Sequence, residues 1–188
     1  MIFKQVFDQK SSTYTYLIAS AKGREAVIID PVIENVESYI KILNELDLKL
    51  VKVIDEEIIK IDQIEIKAMY TPGHTSDSYS FLMNKYLFSG DTLLINGTGR
   101  TDFQNGSSKD AYNSLFNILL KLPDDTLLYP GHDYNGKLVS TIGNEKKSNP
   151  RLQVKNADQY AEIMANLNLS KPELMDSNIR SNIKLGAN

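Results

Sequence analysis

The chain contains only two histidines, and each ends the same tripeptide, Pro72-Gly73-His74 and Pro130-Gly131-His132. Each tripeptide follows an apolar or aromatic run that predicts a β-strand, and a third such run ends in Gly90-Asp91. Glycine permits the sharp backbone turn that a strand end needs. We therefore expect His74, Asp91 and His132 at the ends of three strands, where imidazole nitrogens and a carboxylate could bind a metal ion or act in catalysis.

Each of these residues also has a plainer interpretation. His74 could lie in a solvated surface turn, and Asp91 could cap the turn that begins at Thr92. His132 could bind a second metal ion, serve as an acid or base, or form a hydrogen bond inside the core. Asp30, which follows the buried strand before Pro31, could line the site, although an Asp-Pro pair after a strand usually forms only a turn.

A glycine-rich loop, Gly97-Thr98-Gly99, precedes Arg100 and Asp102. Arginine is suited to bidentate binding of a substrate carboxylate. An internal ion pair between Arg100 and Asp102 that shapes the loop is an equally good interpretation of the same residues.

Composition narrows the classes of protein that this chain can be. A chain of 188 residues, 41% hydrophobic and 24% charged, is typical of one globular domain that buries its own core. A net charge of −3 without a concentration of Lys and Arg argues against nucleic-acid binding. No apolar run approaches 18 residues, which argues against a membrane span, and the absence of cysteine excludes disulfides, thiolate catalysis and Cys-zinc sites. The first residues enter a strand pattern directly, so we expect no signal or transit segment and a cytoplasmic protein.

The elements that must position these residues follow from the hydrophobic pattern. We predict an opening of three strands, one helix and one strand: 3–7, 14–19, 26–29, helix 34–46, and 48–54. A hairpin, 58–61 with 64–69, and strands 78–83, 86–89 and 126–129 follow, together with helices 109–122, 139–147 and 157–166. Ser107 and Ser108 are candidate caps of the helix that Pro123 ends. Many strands with several helices predict an α/β fold in which two sheets are covered by helices, an αββα sandwich in a single domain that spans residues 1–188.

The motifs resemble those of the metallo-β-lactamase superfamily and, within it, the persulfide dioxygenases. The shared segments extend almost from end to end and include Ser11-Ser12-Thr13-Tyr14, Thr71-Pro72-Gly73-His74-Thr75, Phe88-Ser89-Gly90-Asp91, Gly99-Arg100-Thr101-Asp102-Phe103-Gln104, Tyr129-Pro130-Gly131-His132-Asp133-Tyr134, Asn149-Pro150-Arg151-Leu152 and Asn166-Leu167-Asn168-Leu169. Pro-Gly-His and Gly-Asp are general in the superfamily, whereas the Gly-Arg-Thr-Asp-Phe and Tyr-Pro-Gly-His-Asp-Tyr phrases are more specific.

The resemblance implies a metallo-β-lactamase-like fold and one Fe(II) per chain, held by two histidines and an aspartate, a ligand set suited to oxygen chemistry. His74 and Asp91 match two of the three ligands. His132 matches the position that binds a second metal in hydrolytic relatives and that stays off the iron in the dioxygenases. Arg100 and Tyr134 match positions that line a glutathione pocket, and Tyr134 would position the substrate near the metal. The implied partners are glutathione persulfide and O2, a homodimer is compatible with the resemblance, and a eukaryotic member would lie in the mitochondrial matrix.

One departure from the family pattern falls at the 55/56 junction. There the resemblance predicts a His-x-His-x-Asp-His motif followed by roughly 40 residues, enough for a helix and a strand, but Asp55 is followed directly by Glu56-Glu57 and the hairpin. Either the protein contains a segment that the printed sequence lacks, or the deletion is real. The clean cut between intact flanks favours the first explanation, and an intact mass near 21.2 kDa would refute it.

Three functions are therefore compared. The leading hypothesis is an iron-dependent persulfide dioxygenase, provided that the missing ligand segment exists. The second is a zinc- or iron-dependent thioester hydrolase of the glyoxalase II kind, with His132 as a ligand. The third is a metal-free binding protein, which a real deletion would favour because two protein ligands hold iron weakly.

Overall fold

The structure is a computed structural model that describes residues 1–51, 58–103 and 105–170. Its first sheet has four strands in the order β1-β2-β3-β4. The predicted opening of three strands, a helix and a strand is confirmed: β1 (Ile2–Asp8), β2 (Thr13–Ala19), β3 (Glu25–Ile29), α1 (Val36–Glu45) and β4 (Lys49–Leu50). A 3-10 turn, Ile33–Asn35, leads into α1.

The second sheet has six strands in the order β12-β11-β8-β7-β6-β5. Its members are β5 (Ile58–Ile61), β6 (Ile64–Tyr70), β7 (Tyr79–Met83), β8 (Tyr86–Gly90), β11 (Leu127–Pro130) and β12 (Ser140–Thr141). The predicted hairpin of β5 and β6 is confirmed, with Ile61 opposite Ile64. A small separate pair, β9 (Leu93–Leu94) and β10 (Gly97–Thr98), was not predicted.

Three further helices follow: α2 (Ser108–Asn113), α3 (Ile142–Ser148) and α4 (Ala157–Ala165). Short irregular turns join them, a π-turn at Ser114–Ile118 and 3-10 turns at Leu119–Lys121 and Pro150–Leu152.

The two sheets share one apolar core and the helices cover another, because alternate residues of each strand point to opposite faces. The core between the sheets takes Tyr14, Tyr16 and Ile18 from β2 and Phe88 from β8. Its neighbour Leu87 points the other way, into the core under α2, α3 and α4. On the outer face of β2, the Thr15 hydroxyl lies 2.9 Å from the Tyr39 hydroxyl of α1. The αββα arrangement is thereby confirmed.

Two predicted helices differ from the structure. The helix predicted over 109–122 is regular only as far as Asn113 and then continues as the π- and 3-10 turns. Its predicted start is confirmed, since the Ser107 side chain accepts a hydrogen bond from the Asp110 amide. The helix predicted over 139–147 begins later, at Ile142, because Ser140 and Thr141 pair with β11 and the Thr141 hydroxyl caps the helix at the Asn144 amide.

The strand predicted over 48–54 is observed only as β4, and residues 52–54 lie outside the described ranges, as does the 55/56 junction. Within those ranges, no helix has the length and apolar character needed to cross a bilayer.

Candidate metal centre

Three strands of the six-stranded sheet end at the same edge. β7 is antiparallel to both β6 and β8, and β11 is parallel to β8, so β6, β8 and β11 all run in one direction. The turns after these strands carry His74, Asp91 and His132, which sequence placed at three strand ends, and the structure brings the three side chains together. We call these three residues and their strand ends the histidine wall.

His74 presents one ring nitrogen to Asp91. Its Nδ1 lies 2.7 Å from the carbonyl oxygen of Arg100, and a carbonyl only accepts, so Nδ1 carries the proton. The free lone pair is then on Nε2, which lies 3.6 Å from Asp91 Oδ2. Two ligand atoms at this separation can share one ion at bonds of about 2.0–2.2 Å.

Gly99 makes this contact between loops possible. A Cβ there would lie 2.1 Å from the Asp91 carbonyl oxygen and 3.0 Å from the His74 ring. Gly99 therefore has a steric purpose beyond loop flexibility, because a side chain there would clash with the Asp91 backbone and crowd the His74 ring.

His132 is engaged at both ring nitrogens. Nδ1 lies 2.6 Å from Asp91 Oδ1, and Nε2 lies 3.0 Å from the Thr13 hydroxyl. Thr13 in turn contacts Ser11, whose hydroxyl donates to Asp8 at 2.7 Å. His132 also lines the cavity, so its ring is hydrogen-bonded at the surface of the cavity.

Charge couples Asp91 to the two histidines. Burial disfavours the Asp91 carboxylate, but the charge and hydrogen bond of His132, with a smaller contribution from His74, hold its pKa below the usual value. Burial opposes the charged form of His132 too, yet Asp91 raises the pKa of that imidazole, with help from Asp30. The pair thus favours the ionised form of the Asp91 carboxylate.

Asp30 also lines the cavity, and its carboxyl group lies in an unusual environment. Burial, followed by repulsion from Asp91, raises its pKa to about 6. Within the described ranges, its buried Oδ2 has no hydrogen-bond partner. Asp30 therefore lines the site rather than acting only as a turn residue.

The cavity has a volume of about 740 Å³, and its lining residues include two groups. The histidine wall is one of them. The other, which we call the α1 wall, consists of Asp30, Ile33 and Val36. A space of this size is typical of a small-molecule site.

Arg100 is held within its own loop. Its guanidinium donates two hydrogen bonds to Asp102, each 2.7 Å long, and others to the carbonyls of Leu169 and Ser170. It also stacks on Phe103, with 3.9 Å between the guanidinium carbon and the ring centre. The internal ion pair is present, and a substrate carboxylate would have to replace Asp102.

Tyr134 lies beside His132 with its ring nearly parallel, 6.3 Å between centres, and is 74% exposed. Partial burial and the Asp91 charge raise the pKa of its phenol, so the hydroxyl remains a donor at neutral pH. The residue is therefore accessible to solvent.

Sequence reasoning missed the polar chain from His132 through Thr13 and Ser11 to Asp8. The available signal was the Ser11-Ser12-Thr13 phrase at the start of β2, read there only as a family motif. Hydroxyls of this kind show their role only when a distant partner is known.

The residues only partly fit the implied iron. His74 and Asp91 supply an imidazole nitrogen and a carboxylate oxygen in suitable positions. Over the ranges that the structure describes, no group of three or more His, Asp or Glu side chains is arranged to hold a metal ion. Since the chain has no further histidine, a ligand set of two histidines and one carboxylate would need His132, which is already bonded at both nitrogens.

Comparison with known proteins gives a consistent result. A model described as the metallo-beta-lactamase superfamily matches residues 49–132. The mitochondrial persulfide dioxygenase ETHE1 of Mus musculus is 33% identical over 227 residues, covering 99% of this chain and 89% of that protein. The crystal structure of ETHE1 from Myxococcus xanthus superimposes with a TM-score of 0.93 at 40% identity, covering 100% of both chains.

A hydrolase gives a shorter match. The probable hydroxyacylglutathione hydrolase of Schizosaccharomyces pombe is 41% identical over 95 residues, which is 47% of this chain and 36% of that protein. This likeness is local, whereas the dioxygenase match extends along the whole chain.

Proposed function

The chain belongs to the metallo-β-lactamase superfamily and, within it, to the persulfide dioxygenase family, and from this membership we propose that the protein oxidises glutathione persulfide with O2. One persulfide, one O2 and one water give one glutathione and one sulfite, with release of two protons. We propose Fe(II), one per chain, as the cofactor, with zinc as the alternative. The proposal applies to a protein whose metal site is complete, because this chain supplies two suitable ligands.

The observation that carries the proposal is the double engagement of His132. Both of its ring nitrogens are occupied, by Asp91 and by Thr13, which leaves one oxygen of Asp91 facing the free nitrogen of His74. This arrangement supports one metal position rather than two. A single position agrees with a mononuclear oxygenase better than with a dinuclear hydrolase.

The protein's own residues would bind and orient the substrate. We propose that Arg100 binds a glutathione carboxylate by exchanging it for Asp102, the partner of its present bidentate ion pair. Tyr134, exposed and protonated, would donate a hydrogen bond that positions the persulfide near His74 and Asp91. The histidine wall would keep Asp91 ionised through His132.

The second candidate is a thioester hydrolase of the glyoxalase II kind. The local likeness to the Schizosaccharomyces pombe hydrolase favours it, together with the position of His132 beside Asp91. It requires His132 to leave Thr13 or Asp91 and bind a second ion. The third candidate, a metal-free protein that binds glutathione-like ligands, applies if the chain never acquires a third ligand.

The remaining features of the proposal are the cellular location and the partners. We propose a cytoplasmic protein, or one of the mitochondrial matrix in a eukaryotic cell, by analogy with the named location of the mouse relative. A homodimer is compatible with the family. Neither nucleic acid nor a membrane is among the proposed partners.

Oxygen uptake tests the function directly. Protein loaded anaerobically with Fe(II) should consume O2 and form sulfite when glutathione persulfide is added, with about one iron per chain. Arg100→Lys should raise KM more than it lowers kcat, because one ammonium cannot replace a bidentate fork. Asp102→Asn is the matched control: it frees Arg100 and should not raise KM. Two metals with thioester hydrolysis would favour the hydrolase, and an apo protein that only binds glutathione would favour the third candidate.

A further inference from the structure

The segment Asn149-Pro150-Arg151-Leu152 holds the small hairpin of β9 and β10. The Asn149 side-chain amide is buried and donates a hydrogen bond of 2.9 Å to the Gly97 carbonyl. The Arg151 guanidinium donates to the next carbonyl along the chain, that of Thr98. Two consecutive backbone carbonyls of β10 are therefore bonded to side chains of this segment, and these bonds fix the position of β10 through its backbone.

The side chain of Thr98 is held as well. Thr98 and Tyr160 of α4 are both buried, and their hydroxyls lie 2.9 Å apart. We call Asn149, Arg151 and Tyr160 the hairpin clasp. Since β10 is two residues long and forms a ladder of two residue pairs with β9, its own pairing contributes little to its position. The clasp supplies what this short ladder lacks.

A buried carboxylate supports the clasp. Glu145 is 1% exposed and accepts hydrogen bonds from the Asn149 amide, at 2.9 Å, and from the Ser140 hydroxyl. It also accepts a bond of 2.7 Å from the backbone amide of Asn96, in the turn between β9 and β10. These three donors are neutral, and a carboxylate buried among neutral donors is costly to desolvate. A fully bonded polar network of this kind makes its surroundings rigid, and here it fixes both Asn149 and the hairpin turn.

The chain passes from β10 directly into the histidine wall. Gly99 follows β10 and lies so close to the Asp91 backbone and the His74 ring that a side chain has no room there. One residue later, the Arg100 carbonyl oxygen lies 2.7 Å from His74 Nδ1. Because only Gly99 separates Thr98 from Arg100, a displacement of Thr98 would also move the carbonyl that holds His74.

The hydrogen-bond partner of His74 is a backbone atom, and this decides which side chains control the imidazole. The group that accepts the ring N–H of a histidine fixes its tautomer and its direction. A backbone carbonyl has no side chain of its own to hold it in place, so its position depends on the groups that bind the neighbouring chain. With Nδ1 bonded to the Arg100 carbonyl, the free lone pair of His74 lies on Nε2, 3.6 Å from the nearer oxygen of Asp91.

We propose that Arg151, acting through β10, is a positioning residue that sets the tautomer and the direction of His74. It holds the Thr98 backbone, which in turn keeps the Arg100 carbonyl on Nδ1 of the imidazole. The other members of the hairpin clasp act in the same way. The orientation of His74 is independent of any reaction, whereas its use as a metal ligand rests on the proposed function.

Nitrogen-15 NMR of the metal-free protein tests the proposal, because the chain has only two imidazoles to assign. At alkaline pH, where a neutral imidazole carries one ring proton, His74 should show the Nδ1–H tautomer. Arg151→Met removes the donor to the Thr98 carbonyl and should make the Nε2–H tautomer of His74 detectable. Arg151→Lys retains one donor and should restore the original signals. A folded Arg151→Met protein with an unchanged His74 spectrum would overturn the proposal.

Gln153→Met is the matched control. The Gln153 amide donates to the carbonyls of Lys146 and Asn149 at the end of α3, so its loss should lower the stability of the chain without changing the His74 tautomer. A change of His74 as large as that in Arg151→Met would show general loosening of the chain and would contradict a positioning role. If Arg151→Met does not fold, Tyr160→Phe removes one hydroxyl from the clasp, and the same spectrum decides the question.

Anaerobic titration with Fe(II) separates this inference from the proposed function. Arg151→Met should weaken Fe(II) binding about 10-fold or more, the usual loss when the partner of a metal-binding histidine is disturbed, and Arg151→Lys should bind almost as the original protein does. If the original protein binds no iron and consumes no O2, while His74 still changes tautomer in Arg151→Met, the proposed function is wrong and the positioning role is supported. If the protein is an active dioxygenase and Arg151→Met changes neither the tautomer nor the iron affinity, the positioning role is wrong and the proposed function is retained.

Discussion

The two walls of the cavity differ in how completely their groups are partnered. In the histidine wall, His132 bonds to Asp91 and Thr13, and His74 bonds to the Arg100 carbonyl. In the α1 wall, by contrast, Asp30 keeps a buried oxygen without a partner within the described ranges, and Ile33 and Val36 are exposed. Both walls come from one chain and one fold, so the difference lies in the groups that surround each of them.

The reason lies in where each wall gets its residues. The histidine wall is built almost wholly from the segment between β6 and β12, which the chain retains together with the glycines that its loops need. The α1 wall instead comes from one short stretch of chain, from Asp30 after β3 to Val36 at the start of α1. Groups from several loops can therefore bond to one another in the histidine wall, whereas the described residues give Asp30 Oδ2 no partner.

The largest effect should come from crowding the histidine wall at Gly73. A Cβ there would lie 2.3 Å from the Ala111 Cα, and its φ of +143° is unfavourable for other residues. We expect Gly73→Ala to lower the free energy of unfolding by about 4 kcal/mol or more. Gly136 has a φ of +74° and open space around it, so Gly136→Ala adds backbone strain without a steric clash. It should cost about 1–2 kcal/mol. Urea denaturation measures both, and equal losses would show that His74 does not need this close packing.

Truncation of two leucines, one buried and one partly exposed, compares how much burial stabilises the chain near each wall. Leu87 on β8 is fully buried under the helices, whereas Leu50 on β4 is 43% exposed. Leu87→Ala should cost about 2–5 kcal/mol through lost burial and the cavity that remains. Leu50→Ala should cost less than about 1 kcal/mol. A similar loss for Leu50 in equilibrium unfolding would mean that the edge of β4 is already covered in this chain.

Replacement of Asp30 should increase the stability of the chain, whereas the preceding substitutions should lower it. Its pKa of about 6 exceeds the ordinary 3.8, so the folded state binds more protons than the unfolded state between these values. The stability of the chain should therefore fall as pH rises from about 4 to about 6 and stay lower above that range. Asp30→Asn removes this loss and should stabilise the chain by at most about 3 kcal/mol at pH 7, with little change near pH 3.

Asparagine tolerates the φ of +52° at this position, so the substitution adds no strain. Asp47→Asn is the control, since Asp47 has the same φ and an exposed side chain. Unfolding curves at both pH values should separate the two variants. If Asp30→Asn were neutral at pH 7, the carboxylate would have to be hydrated, and the α1 wall would be less deficient than its geometry indicates.

Sequence reasoning reached the histidine wall because its residues carry their own signals. The two Pro-Gly-His phrases and the Gly-Asp each combine a strand, a turn residue and a polar side chain, so His74, Asp91 and His132 could be placed at the ends of three strands without coordinates. The αββα sandwich followed from the strand pattern in the same way. Local sequence was sufficient because each signal lies within a few residues of the group that it positions.

The remaining features depend on distant parts of the chain. Nothing near Thr13 shows that its hydroxyl contacts His132, which is 119 residues away. The late start of α3 depends on pairing of Ser140 with Leu128, which competes with helix formation over the same residues. The choice between two interpretations of Arg100 was left open by sequence, and the structure places Asp102 and the carbonyls after α4 around it.

The smallest predicted effect concerns the bond that joins the two sheets at the site. Thr13 belongs to β2, and its hydroxyl reaches His132 at the end of β11, 3.0 Å away. Thr13→Val keeps the branched shape but leaves His132 Nε2 and the Ser11 hydroxyl without this partner, at a cost of about 1–2 kcal/mol. Thr13→Ser keeps the hydroxyl and should cost less in the same urea titration.

Because His132 also faces the cavity, water could replace the lost partner, and Thr13→Val would then be nearly neutral. That result would mean that the histidine wall is held by Asp91 and its own loops, and that the contact between sheets contributes little to it.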